Sequence, residues 1–196
     1  TTGIYDKNRE FILTNSPSMD ILVSSNLERL IYLSAGCDTE KNKTLMEELS
    51  SLGRYTITDD MKKKIADFRG GYATQEEDAA AIKKLFEDTG YVIDTHTGVA
   101  VSVYQQYVKE KKDKTKTVIA STASPYKFSR SVMEALGYKD EVGNRTLDNL
   151  DEFEIVDELC KKSGVPVPMA VEEIRFAVYL HDNECDVDKI DRKSVV

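Results

Sequence analysis

The 196-residue chain has little that would mark it for a membrane, a nucleic acid or an oxidising compartment. No apolar run approaches the ~20 residues that a bilayer-spanning helix needs, and no apolar secretory segment stands at its opening. Basic residues are in deficit: 27 Lys and Arg stand against 35 Asp and Glu, a formal net charge of −8. A nucleic-acid binder needs a basic face, so that class is excluded. Cysteine is scarce and odd in number, with Cys37, Cys160 and Cys185 far apart and no C-x-x-C pair. That pattern excludes a disulfide framework and leads us to expect a reducing cytoplasm, with all three thiols buried or incidental. The chain opens Thr1-Thr2-Gly3 without an initiator Met, and the expectation is a processed or cut product. What is present is ordinary for a globular domain: 40% hydrophobic and 32% charged residues, enough for one substantial domain.

Helix signals dominate. "FILTN" reads as a short strand or an extended segment, and Ser16-Pro17 reads as a helix start with Ser as N-cap and Pro at the first helical position. Leu27, Leu30 and Ile31 have helical spacing, and Gly36 stops that helix. "KNKTLMEELSSLG" is a short amphipathic helix closed by Gly53. Thr58 caps the next one, with Asp59 and Asp60 placed against the helix dipole. Thr74 and Glu77 form a capping box for a helix with Ala79, Ile82, Leu85 and Phe86 on its apolar face and Gly90 as its stop. "HTGVAVSVYQQYVKEKKDK" is the strongest helix, and Ala100, Val103, Tyr104, Tyr107 and Val108 are its expected buried stripe. Ser124-Pro125 restarts a helix carrying Phe128, Val132, Ala135 and Leu136 up to Gly137. One or two more helices follow around a Pro-containing turn, and "DNECDVDKIDRKSVV" reads as an acidic, frayed tail. The only composition shift lies near Gly143–Asn144.

Strands are the missing element. "TVIAS" is the single confident one, a short apolar run expected to be buried. One strand cannot make a sheet. Either other strands escape detection or they belong to sequence outside this chain.

Several candidate sites fail on chemistry. Asp182, Glu184, Asp186 and Asp188 alternate as in a calcium loop, yet the sixth and twelfth positions hold Val187 and Lys193 in place of Gly and Glu. His181 and Cys185 lie four apart, but two ligands do not make a zinc site, so no metal is expected. Gly70-Gly71 precedes a capped helix without the Lys-Ser/Thr ending of a phosphate loop, and reads as an interhelical turn. Two stretches survive. In "DTHTGVA", Asp94, Thr95 and His96 stand just before the strongest helix, either as caps and packing or as site residues. In "STASPYKF", Ser121, Thr122 and Ser124 follow the expected strand, and ligands of open α/β sheets bind beyond the carboxyl ends of strands. Capping accounts for Ser124 before Pro125. It does not require Thr122, whose hydroxyl can donate to a ring nitrogen or accept from a backbone N–H.

Taken together, "TGIYDKNREFILTNSPSMDILVSSNLERL", "DTHTGVAV" and "STASPYKF" resemble, in this order and spacing, the carboxyl-terminal part of threonine synthase of the longer microbial class. The resemblance covers Thr1 to about Leu136 well and the tail loosely. It implies an α/β fold: the helix-rich carboxyl-terminal portion of a tryptophan-synthase-β-like domain (pyridoxal-phosphate fold type II), with an incomplete sheet. Residues 1–142 would be the carboxyl-terminal part of the cofactor-binding catalytic domain and 143–196 a helical tail. The implied activity of the intact enzyme is conversion of O-phospho-L-homoserine and water to L-threonine and phosphate, with pyridoxal 5'-phosphate as cofactor.

The same resemblance gives Thr122, in the family's "TAxPxKF" stretch, the role of partner to the cofactor's pyridine nitrogen. Asp94 and His96 fall in its "D/E-x-H" stretch and Ser124 at a position where many relatives carry His; all three are expected on the active-site wall. The family's Schiff-base lysine sits upstream in a "K-D-F"-like context that this chain lacks, as it lacks the glycine-rich phosphate grip. No catalytic residue is therefore assigned here, and the piece alone is expected to be inactive and to self-associate through exposed core surface. Two other readings stand beside this one: another fold-type-II enzyme such as a threonine dehydratase, and a stand-alone non-catalytic helical binding module.

Overall fold

Most α-helices among the described residues start where a side chain can take the place of the missing carbonyl acceptors of a first turn. The computed structural model describes residues 2–138, 146–167 and 169–170. They divide into two compact units, Thr1–Tyr72 and Ala73–Val196, each described by itself. The composition shift near Gly143–Asn144, the acidic tail, His181 and Cys185 all lie outside the described residues.

In the first unit, β1 (Ile4–Asp6) and β2 (Arg54–Thr56) pair antiparallel, with Tyr5 opposite Tyr55 and their rings stacked at 5.5 Å. Helix α1 (Ser25–Ser34) is capped by Ser24, α2 (Thr39–Leu52) by Asp38 and α3 (Asp59–Lys64) by Thr58. The stop of α2 at Gly53 is a left-handed residue with φ of 75°, a conformation that favours glycine. Ile31, Leu45, Leu49, Tyr55, Ile57 and Met61 form the core. The start read at Ser16-Pro17 yields only a single 3-10 turn, Pro17–Met19, and the Ser16 side chain makes no capping bond. The Asp20 carboxylate instead binds the Thr14 amide and hydroxyl, both at 2.8 Å, and holds this segment as a turn. Phe11, Ile12 and Leu13 of "FILTN" are irregular and exposed.

The described residues of the second unit form helices, 3-10 turns and irregular segments. Helix α4 (Gln75–Thr89) carries the expected capping box of Thr74 and Glu77 and ends at Gly90. Helix α5 (Thr95–Lys111) packs along it. A 3-10 turn, Pro125–Phe128, leads into α6 (Ser129–Ala135), and α7 (Glu152–Ser163) starts from a second capping box, Asp151 with Glu154. Ile82, Val101, Val132, Met133, Ile155 and Leu159 centre the core. Arg130 ties α6 to the turn before α7 by donating to the Leu147 and Leu150 carbonyls at 3.1 and 3.3 Å.

Two expectations need correction here. The stripe Ala100, Val103, Tyr104, Tyr107 and Val108 is not the buried face of α5. Gly98, Val101 and Ser102 are buried instead. Close approach to α4 selects small residues: a Cβ at Gly98 would collide with Asp78 Oδ1 and stand 2.8 Å from Ile82 Cγ1. The second correction concerns "TVIAS". Residues 112–122 form neither helix nor strand, and Val118 is 96% exposed. A strand exists only when a neighbour completes its hydrogen-bond ladder, and the described residues supply none; Ile119 alone packs partly against the core.

Gly98→Ala is therefore expected to destabilise the second unit by about 1–3 kcal/mol, the usual range for overpacking. Urea denaturation checks this as a lowered midpoint at unchanged m-value.

Candidate functional site

The candidate residues gather around the first turn of α5. Asp94 is the N-cap of that helix and is fully buried. Its Oδ1 accepts the backbone N–H groups of His96 at 2.8 Å and Thr97 at 3.3 Å. His96 Nδ1 lies 3.1 Å from the same oxygen. A carboxylate only accepts, so the His96 ring carries its proton on Nδ1 toward Asp94. The Thr97 hydroxyl donates to Asp94 Oδ2. The helix dipole adds its own preference for negative charge at this end. His96 is 8% exposed, and its ring leans on Phe128 with centroids 4.7 Å apart.

The second part is the loop entering the 3-10 turn. Thr97 Oγ1 lies 2.9 Å from Ser121 Oγ. This contact joins the buried first turn of α5 to the hydroxyl-rich stretch. Thr122 is the next residue, exposed and outside any helix or strand. Ser124 accepts from the Tyr126 amide at 3.3 Å, the capping role read from the sequence, and Tyr126 is buried with its hydroxyl 2.8 Å from Ser163 Oγ on α7.

Asp94 and His96 are thus in direct contact, and Ser124 has a structural task at the turn. Thr97 escaped the sequence reading. Its signal was present: an Asp N-cap with a hydroxyl at the third helical position, a side chain reaching back as in a capping box.

The far end of the same loop is held by Asp113. Its carboxylate accepts the Thr115 amide and the Tyr107 hydroxyl, both at 2.8 Å. Hydrogen bonds from Thr115 first, and then from Tyr107, lower its pKa from 3.8 to about 2. Among the described residues, no helix is long and apolar enough to cross a membrane and no group of His, Cys, Asp and Glu gathers to hold a metal. Cys37 is exposed and Cys160 buried, and neither is in a disulfide.

The comparisons with known proteins converge. Residues 97–163 match the family described as "Threonine synthase, C-terminal". The chain is 37% identical over 142 residues to "Threonine synthase-like 1" of Homo sapiens, covering 71% of this chain and 19% of that protein. Among solved structures it is similar to the pyridoxal-phosphate-bound threonine synthase from Brucella melitensis (33% identity, TM-score 0.59, 72% of this chain and 30% of that one). It is also similar to the threonine synthase from yeast (26% identity, TM-score 0.65, 89% and 38%). The chain spans about a fifth of the length of the curated relatives it matches first. The fold is that of a portion of a pyridoxal-phosphate fold type II protein, helix-rich with a small two-stranded sheet. Within that class the proteins it is similar to are threonine synthases, and the matched family model is that of their C-terminal part.

A pH prediction follows from Asp113. Its folded pKa is depressed, so the stabilisation it gives the loop is present above pH 3.8 and is lost as pH falls through about 2. Tyr107→Phe removes one donor and is expected to raise the Asp113 pKa toward 3.8, read by the NMR titration of its carboxyl carbon.

Proposed function

We propose that this chain is part of a threonine synthase that converts O-phospho-L-homoserine and water to L-threonine and phosphate. It would supply the residues around the pyridine-nitrogen end of the cofactor. The observation that carries the reading is the exposed Thr122 hydroxyl, one residue from a serine in hydrogen-bond contact with the buried Asp94–Thr97 cluster, inside the segment that matches the family.

The donor set fits that end of pyridoxal 5'-phosphate. The ring nitrogen needs a single hydrogen-bond partner, and Thr122 offers an exposed hydroxyl on a loop held to α5. When bound, the cofactor supplies the electron sink, and the protein's share is orientation and tuning. Thr122, neutral at any working pH, orients the ring without forcing a proton onto its nitrogen, as an aspartate would. Asp94 holds a proton on His96 Nδ1 and keeps the ring against Phe128, and with Ser124 these residues form the wall of the site. The lysine that anchors the cofactor and the glycine-rich loop for its phosphate lie, in this reading, outside this chain. The alternatives of a threonine dehydratase and a non-catalytic helical module are disfavoured by relatives and solved structures that carry the threonine synthase name. We place the activity in the cytoplasm, which suits an exposed Cys37 that is in no disulfide.

In the full-length protein, Thr122→Asp is expected to shift the cofactor absorbance and lower kcat by on the order of tenfold or more. Unchanged turnover and spectrum would remove Thr122 from the site. The 196-residue chain by itself is expected to form no L-threonine from O-phospho-L-homoserine; turnover by the chain alone would refute the placement of the lysine elsewhere.

The chain alone is also expected to self-associate. Phe11, Ile12 and Leu13 in the first unit and Val118 in the second are exposed apolar side chains that support this. Light scattering after size exclusion tests it, and a monomer at all concentrations would count against it.

A further inference from the structure

The hydrogen bonds between α5 and the loop have a direction. Thr97 has one hydroxyl proton and gives it to Asp94 Oδ2, which only accepts. At the 2.9 Å contact Thr97 Oγ1 is therefore the acceptor and Ser121 the donor. The chain runs Ser121 to Thr97 to Asp94, from an exposed loop into a fully buried carboxylate. Chains of this kind polarise each member, and a charged acceptor at the end strengthens the links. Asp94 itself is held by two backbone amides of α5, so the acceptor is fixed to a helix that packs along α4.

We infer that Asp94 and Thr97 are positioning residues for the cofactor loop: they commit the Ser121 proton inward and thereby set the place of Thr122. This rests on the reading of Thr122 as the pyridine-nitrogen partner. It adds a reason for that assignment. Ser121, its only proton spent on Thr97, has just lone pairs to offer a ligand, so it cannot donate to a ring nitrogen. Thr122 is the adjacent hydroxyl left to do so. The three hydroxyls of "STASPYKF" then divide their work: Ser121 anchors, Thr122 faces the ligand, and Ser124 caps the turn.

The test uses the full-length protein with pyridoxal 5'-phosphate as the probe, and compares Thr97→Val, Ser121→Ala, their combination, Thr97→Ser and Thr122→Ala. Loss of one such hydrogen bond corresponds to about a three- to tenfold change in an equilibrium constant. Thr97→Val and Ser121→Ala are each expected to weaken cofactor affinity by about that factor, with the double variant no worse than either single one. Thr97→Ser, which keeps the hydroxyl, should restore affinity to within about twofold. In the cofactor-free protein, both single variants should speed amide hydrogen exchange at 121–124 by a similar factor while leaving exchange in α7 unchanged. Ser121 is exposed, so Ser121→Ala folds and carries the test even if Thr97→Val does not.

The outcomes separate the two readings. If Thr122→Ala weakens the cofactor while Thr97→Val and Ser121→Ala leave affinity and exchange unchanged, the positioning role is overturned and the Thr122 assignment stands. If the two losses add instead of coupling, the hydrogen-bond chain is likewise overturned. If Thr122→Ala has no effect on affinity or spectrum, the Thr122 assignment fails, and the positioning role as stated fails with it.

Discussion

The carboxylate of Asp94 is the constraint on which the second unit of this chain depends. A buried acidic group is tolerated only when its lone pairs are occupied. Here the first turn of α5 occupies them with two backbone amides, the Thr97 hydroxyl and the Nδ1 side of His96. Each of these donors is local, within three residues of the carboxylate, so the motif assembles as soon as the helix starts. Its consequences are not local. Thr97 extends the network across 24 positions of sequence to Ser121, and His96 extends the cluster to Phe128. One side chain thus sets the helix start, the ring position and the loop.

Helix α5 is held to α4 by a different means. Gly98 lets Asp78 and Ile82 approach where any Cβ would intrude. The small face of α5 turns inward, and its larger residues Tyr104, Tyr107 and Val108 are only half-buried. Close packing between helices depends on shape before hydrophobicity, which is why a glycine, a valine and a serine form the seam in place of the aromatic stripe.

The segment between α5 and the 3-10 turn shows how a loop is made definite without a sheet. Asp113 fastens its start through Tyr107 and Thr115, Ile119 leans on the core midway, and Ser121 is tied near its end. Between these points Val118 stands in solvent. Such a loop has a definite course set by side-chain hydrogen bonds and one core contact in place of a ladder.

Local chemistry was legible in the sequence. The caps at Thr58, Thr74 and Ser124 and the stops at Gly53, Gly90 and Gly137 can be read because a side chain and an amide a few residues apart decide them. The three separated motifs were enough to indicate the family. The pairing of β1 with β2 was missed, since two three-residue strands 50 positions apart carry no periodic signal. The stripe on α5 was misassigned, because periodicity shows that a face exists and cannot say which neighbour it will meet. "TVIAS" has the composition of a strand, but composition supplies no partner for its backbone. What tertiary structure alone decided was which groups meet across distance: Gly98 with Asp78, Thr97 with Ser121, His96 with Phe128. Those contacts rest on the packing of α5, and no single stretch of sequence contains both sides of any of them.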